Sequence, residues 1–208
     1  MVVTPGSMTP AEVLSSLSDD YRLETLPDYP APRVLDLGAH VGGFTLYALR
    51  RWPGASVEAY EPHPVNFARL SKDTQGASVD AWRCAVVGKG HPPGSRVRLY
   101  EGVNGLHECS THADIRWPHC SQRLDVWTDV PALEASELAP CDVLKIDTEG
   151  CEVEILECYP HLAGVKALLV EPHAVQGDYA GQERQIRALA RDAGFREVGK
   201  GIAWRFLR

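Results

Sequence analysis

Two apolar runs in the second half of the chain end in side chains suited to proton transfer and charge recognition. The run DVLKID at residues 142–147 carries Lys145 and Asp147 and leads to Glu149, while the run at residues 165–171 leads through Glu171 to His173. Lys145, Asp147 and Glu149 are alternate residues, so they project to one side for as long as the chain stays extended. Glu171 and His173 share that spacing. As strands of an open α/β sheet, the two runs would bring these groups together beyond their carboxyl ends, where such sheets hold ligands. Such a cluster can take a proton from a bound substrate, with His173 or Asp147 the candidate base and Glu149 and Glu171 orienting the substrate. Lys145 is an ammonium within an apolar strand and is costly unless paired. Asp36 or Glu171 is the expected partner, and the lysine then either ties the sheet ends together or contacts substrate.

A cofactor cradle precedes these groups. In RVLDLGAHVGGF at residues 33–44, strand character runs into a turn at Gly38, Gly42 and Gly43, and a helical pattern follows. Strand, tight turn and helix make a nucleotide-type site, in which glycines let backbone approach a ligand and the free N–H groups of the helix start point at it. A dinucleotide fingerprint needs a bare middle glycine, and His40 stands there. That disfavours NAD and FAD, as does the lack of a YxxxK pair. S-adenosylmethionine fits better, because it carries no phosphate but has a zwitterionic end, a sulfonium and a ribose diol. Asp36, at the end of the first strand, helps place the ammonium through its charge and its turn. Glu61, after the second strand at residues 56–60, can accept both ribose hydroxyl protons. Gly38, His40, Gly42, Phe44, Pro62, Cys84, Ala85 and Asp147 complete the expected cofactor residues.

The elements that must hold these groups follow a repeating plan. Thr9, Pro10 and Glu12 give a capped start to a short cover helix reaching residue 17, after a disordered tail. Prolines at 27, 30 and 32 keep the approach to the first strand extended. Helices are expected at residues 44–52, 64–72, 131–138, from the TEGCEVEILECY segment onward, and at 182–193. Residues 79–87 read as one third strand. Alternation in RVRLYEG and QRLDVWTDV indicates strands carrying a loop over the site, and FREVG with AWRFLR suits a closing antiparallel hairpin. The sum is an α/β, doubly wound, mostly parallel sheet with an antiparallel last strand. Residues 1–30 are a tail and cover helix, and residues 31–208 form the main domain with a substrate-side insertion at 95–128.

The segments VLDLGAHVGGF, AYEPHPVNFARL, CAVVG, VLKIDTEGCEVEIL and LLVEPH occur in an order and spacing that resemble the FkbM-type S-adenosylmethionine-dependent methyltransferases. The resemblance spans roughly residues 33–173, and KIDTEGCE is its most specific part. It implies a Rossmann-like seven-stranded sheet of order 3-2-1-4-5-7-6 and O-methylation of a hydroxyl on a sugar, glycan or secondary metabolite. His40 and His63 stand where many relatives carry Asn. Residues 102–120 align with nothing, which leaves the acceptor open.

Composition narrows the alternatives. The chain has 208 residues, 44% of them apolar, which suits one domain with one sizeable core. A net charge of −7 argues against a nucleic-acid-binding face. An RNA ribose 2′-O-methyltransferase is the second enzymatic reading, and a non-catalytic cofactor-binding subunit is the third. No apolar run reaches the length of a bilayer span, so a cytoplasmic protein is expected, and a homodimer is compatible with the sequence. Six scattered cysteines without a CxxC pair suggest reduced thiols. The set His107, Cys109, His112, His119 and Cys120 matches no familiar zinc spacing. Asp147, Glu149, Glu171 and His173 could hold Mg²⁺, but no metal is favoured. Trp117 and Tyr100 are candidates to stack on an acceptor, while Trp52, Trp82, Trp127 and Trp204 are assigned to packing.

Overall fold

The computed structural model describes residues 21–102, 105–113, 115–116, 126–199 and 203–208. The expected helix at 9–17 and Trp117 lie outside the described residues. The first half reads β1 (Arg33–Leu37), α1 (Gly43–Arg51), β2 (Ser56–Tyr60), α2 (Pro64–Asp73), β3 (Val79–Trp82) and β4 (Ala85–Val87). A run of strands follows as β5 (Arg96–Gly102), β6 (Gly105–Ser110), β7 (Ile115–Arg116) and β8 (Trp127–Glu134). The chain then continues through β9 (Val143–Ile146), α3 (Glu152–Cys158), β10 (Ala167–Val170) and β11 (Ala174–Val175). It closes with α4 (Tyr179–Asp192), β12 (Arg196–Gly199) and β13 (Trp204–Leu207).

The main sheet has the order β12-β13-β10-β9-β1-β2-β3, with β13 antiparallel to both neighbours. This is the expected order and the expected antiparallel last strand. Its centre is apolar on both faces because both are covered. Leu35, Leu37, Leu144, Ile146, Leu168 and Val170 face one core with Ile155 and Ile186. Val34, Val143 and Leu169 face the other with Phe44, Ala48 and Trp52. Strand parity puts Asp36 and Lys145 on that second face, and the parallel register of β1 and β9 sets them side by side.

Three local expectations are corrected. Residues 79–87 are not one strand: β3 stops at Trp82 on the edge of the main sheet, and β4 joins a second sheet of order β4-β8-β5-β6. Ala85, Val86 and Val87 are all buried, which the edge position beside β2 could not provide. Residues 131–138 are not a helix, since β8 runs through Pro131 to Glu134 and only Ala135–Glu137 coils as a 3₁₀ turn. Pro131 pairs with the first residue of β5, and the next residue, Ala132, already pairs with β4. A residue lacking an N–H is tolerated where a strand exchanges partners. Trp82 and Trp127 are 53% and 45% exposed, so of the four assigned to packing only Trp52 and Trp204 are core residues. Among the described residues no helix is long and apolar enough to cross a membrane.

Candidate active site

The site begins with the pair that the register brings together. Asp36 is fully buried, accepts a hydrogen bond from Thr45 Oγ1 at 2.6 Å, and lies 3.1 Å from Lys145 Nζ. Lys145 also donates to the Gly38 carbonyl at 2.6 Å and approaches Asp147 Oδ2 at 3.4 Å. Burial would strip its proton, but Asp36 and Asp147 outweigh burial and hold the ammonium above its ordinary range. The rings of Tyr21 and Phe44 lie 5.9 and 5.8 Å from it and 5.1 Å from each other, edge to face. Of the two expected partners, Asp36 makes the close pair.

The glycines of the turn act differently from expectation. A Cβ on Gly38 would lie 1.7 Å from the Asp147 carbonyl oxygen, and one on Gly42 would lie 2.8 Å from Leu70 Cδ1. The space their missing side chains leave is filled by the protein's own β9 loop and α2 rather than kept for a ligand. Both have positive φ, of 80° and 91°, and His40 joins them at 51°. No side chain caps the start of α1 at Gly42. Glu61 fastens the turn from β2, accepting the His40 N–H on Oε2 and the His63 N–H on Oε1, each at 2.8 Å. Burial pushes its carboxyl up to about 7 in spite of these two donors. Pro62 follows it, and Phe44 forms the wall beneath Tyr21. Cys84 and Ala85 stand where the chain passes from β3 to β4, and burial pushes the Cys84 thiol up to about 11.

The five polar residues at the ends of β9 and β10 do converge, although not by simple alternation. Asp147 remains in line, its N–H donating to the Leu37 carbonyl at 3.0 Å, whereas Glu149 turns back with φ +55°. His173 sits among carboxylates. Its Nε2 lies 3.2 Å from Glu149, 3.7 Å from Glu171 and 4.0 Å from Asp147, and its Nδ1 lies 3.1 Å from Glu152 Oε1. Burial opposes its charge, yet Glu149 and Glu152 dominate and hold the imidazolium well above the usual histidine range. Burial also opposes ionisation of Asp147, but Lys145, His173 and the Tyr21 hydroxyl keep its carboxyl below the usual range. Glu171 goes the other way: burial, then Asp147, push it up to about 8.

Sequence reasoning misses two members of this cluster. Tyr21 donates its hydroxyl to Asp147 Oδ2 at 3.0 Å and reaches Glu171 Oε2 at 3.4 Å. Glu152, fully buried at the start of α3, accepts the N–H groups of Thr148 and Gly150 at 3.1 and 3.0 Å and so shapes the loop that carries Glu149. Glu152 lies within KIDTEGCE, where an acid in the first turn of a helix could have been suspected of holding the N–H groups before it. Tyr21 has no such signal, being 126 positions from Asp147. Ligand atoms of Asp147, Glu149 and His173 fall within 4.8 Å of one another, a spacing that could also hold a cation.

The sheet order, the turn after β1 and the acid closing β2 define the Rossmann-like methyltransferase class of fold. Within that class the chain belongs to the FkbM methyltransferases, since the Methyltransferase FkbM domain family matches residues 36–197. It is 28% identical over 210 residues to methyltransferase sdnD of Sordaria araneosa, covering 84% of this chain and 77% of that protein. Methyltransferase 1 of Beauveria bassiana (strain ARSEF 2860) is 24% identical over 167 residues, 71% of this chain and 67% of the other. Among solved structures, methyltransferase FkbM from Methylobacillus flagellatus KT shares the fold with a TM-score of 0.56 at 12% identity over 96% of this chain. The chain spans 50% of that protein's length.

Proposed function

We propose that the chain is an S-adenosylmethionine-dependent O-methyltransferase acting on a hydroxyl of a small acceptor such as a sugar, glycan or secondary metabolite. The observation that carries this reading is the pair of carboxylates bridged by Tyr21, with Asp147 held below and Glu171 above the usual range. Titratable neighbours pushed apart in this way divide the work of acid–base chemistry. The residues of the cradle fit the cofactor. Glu61 forms no close ion pair among the described residues, and beside its donors His40, His63 and Asn66 its carboxylate keeps acceptor capacity for the ribose hydroxyls. The uncapped start of α1 suits the cofactor's carboxylate. Asp36, Asp147, Glu149, Glu152 and Glu171 outnumber the cations Lys145 and His173, which favours a sulfonium ligand.

When bound, the cofactor would supply an electrophilic methyl group on its sulfonium, open to in-line attack by an oxygen nucleophile with the thioether as leaving group. Among the chain's own residues, Lys145 fixes the Gly38 carbonyl and Asp147, so the cradle and the acceptor side keep one geometry. His173, already holding a proton between Glu149 and Glu152, is poorly placed to take another. We therefore assign the acceptor's hydroxyl proton to Glu171, whose raised carboxyl matches a base working near neutrality. Asp147 stays ionised and orients the acceptor with Glu149.

Incubating the protein with methyl-labelled cofactor and a library of hydroxylated small molecules tests this. Transfer to an acceptor oxygen supports it. Cofactor binding without transfer to any of them would favour a partner subunit, and salt-dependent retention of RNA would favour ribose methylation. The spacing of Asp147, Glu149 and His173 supports a second reading with Mg²⁺ at the acceptor side. Turnover that survives exhaustive EDTA treatment removes it.

A further inference from the structure

A second group of metal-ligating side chains stands apart from both the cradle and the acceptor cluster. A cavity of about 450 Å³ is lined by Val87 and Val97 of the second sheet, by Thr111 and His112 after β6, and by Cys151 and Glu154 at the start of α3. His112 Nε2 lies 3.5 Å from Cys151 Sγ and 3.9 Å from Glu154 Oε1, and the three ligand atoms all fall within 4.8 Å of one another. A tetrahedral zinc with bonds of about 2.3 Å to sulfur and 2.0 Å to nitrogen sets those two ligands about 3.5 Å apart.

The surroundings fix each ligand separately. Cys151 and Glu154 are three residues apart where α3 begins, so they share a face. Gly88 makes room for Glu154, because a Cβ there would come within 2.6 Å of Glu154 Cβ. The His112 ring packs on Gly150, where a Cβ would lie 3.1 Å from its Cδ2. Thr111 Oγ1 lies 3.0 Å from Cys151 Sγ, and Ser110 Oγ accepts the His112 N–H at 3.0 Å. Such outer contacts orient metal ligands.

We propose that His112, Cys151 and Glu154 form a three-ligand zinc site whose fourth position opens into this cavity. Sulfur with imidazole selects a zinc-like transition ion over Mg²⁺ or Ca²⁺. One thiolate and one carboxylate balance the charge of the ion. On binding, the S–H bond breaks, the S–Zn bond forms and the proton leaves to solvent. The ion would tie the loop after β6 to the start of α3, two residues from Glu149. This site is independent of the reading of the acceptor cluster.

Cobalt(II) titrated into chelator-treated protein tests the proposal. A single bound Co²⁺ with a near-ultraviolet sulfur-to-cobalt band, displaced by Zn²⁺, is the expected result. Cys151→Ser should remove the band. Glu154→Gln, at a largely exposed side chain, should weaken Co²⁺ binding at least about tenfold while the far-ultraviolet dichroism stays unchanged. Asp147→Asn should leave the band intact, which separates this site from the other cluster. No band at millimolar Co²⁺ in folded protein, or a band that survives Cys151→Ser, would overturn it. If Cys151→Ser does not fold, His112→Gln and Glu154→Gln decide: unchanged affinity in both refutes the site.

Discussion

Lys145 is costly to bury and costly to remove. Replacing it with Met leaves the Asp36 carboxylate buried without its cation, and breaking such a pair typically costs about 3–5 kcal/mol. Denaturant unfolding of Lys145→Met should show a loss of that size. Glu61 answers to a different readout. Its carboxyl, raised to about 7, must be ionised to accept two hydroxyls, so cofactor affinity should fall as pH drops below about 7. Glu61→Gln should weaken binding about tenfold or more and flatten that dependence in calorimetric titration. For Glu171 the measurement is turnover. The rate should climb with pH through about 8, and Glu171→Gln should lower kcat a hundredfold or more, the scale of a lost general base, while sparing cofactor affinity. The polar residues at the strand ends were legible because alternation and strand termini are local properties. Their protonation was not: the charge on His173 depends on Glu152, which comes from a helix, and on a loop whose fold the spacing does not state.

At the level of elements, the turn after β1 is where local and tertiary constraints meet. Gly38 and Gly76 both have φ near 80°, but a Cβ on Gly38 would strike the Asp147 carbonyl while one on Gly76 would meet nothing within 4 Å. Gly76→Ala should therefore cost only the left-handed backbone term of about 1–2 kcal/mol. Gly38→Ala should lose several kcal/mol more, or fail to fold, when both are compared by thermal unfolding. Elements bounded by punctuation were readable: Pro53-Gly54 ends α1, and Pro64 opens α2. The break between β3 and β4 was not, because residues 79–87 keep strand-like composition throughout and only the choice of partner divides them. Pro131 misled for the same reason, since proline at a helix start and proline at a partner exchange look alike in one dimension.

For the whole molecule, Glu61, Glu171 and His173 all hold their protons more tightly folded than unfolded. Stability from such groups is present at low pH and lost as pH rises through the folded values, whereas the depressed Asp147 matters only in stronger acid. The free protein should thus melt at a higher temperature near pH 5 than near pH 8.5, and saturating S-adenosylhomocysteine should narrow the gap. The seven-stranded order was legible through the family resemblance. Periodicity alone could list strands but not seat them. One seat has a consequence for how the protein is made. The strand at Trp204–Leu207 lies inside the sheet, paired on one side with β12 and on the other with β10. During translation the edge of β10, four buried apolar residues long, therefore stays open until the ribosome has delivered that strand. The nascent chain spends that interval with an open apolar edge beside a nearly finished cradle, a template on which a strand of another chain could pair until β13 takes its place.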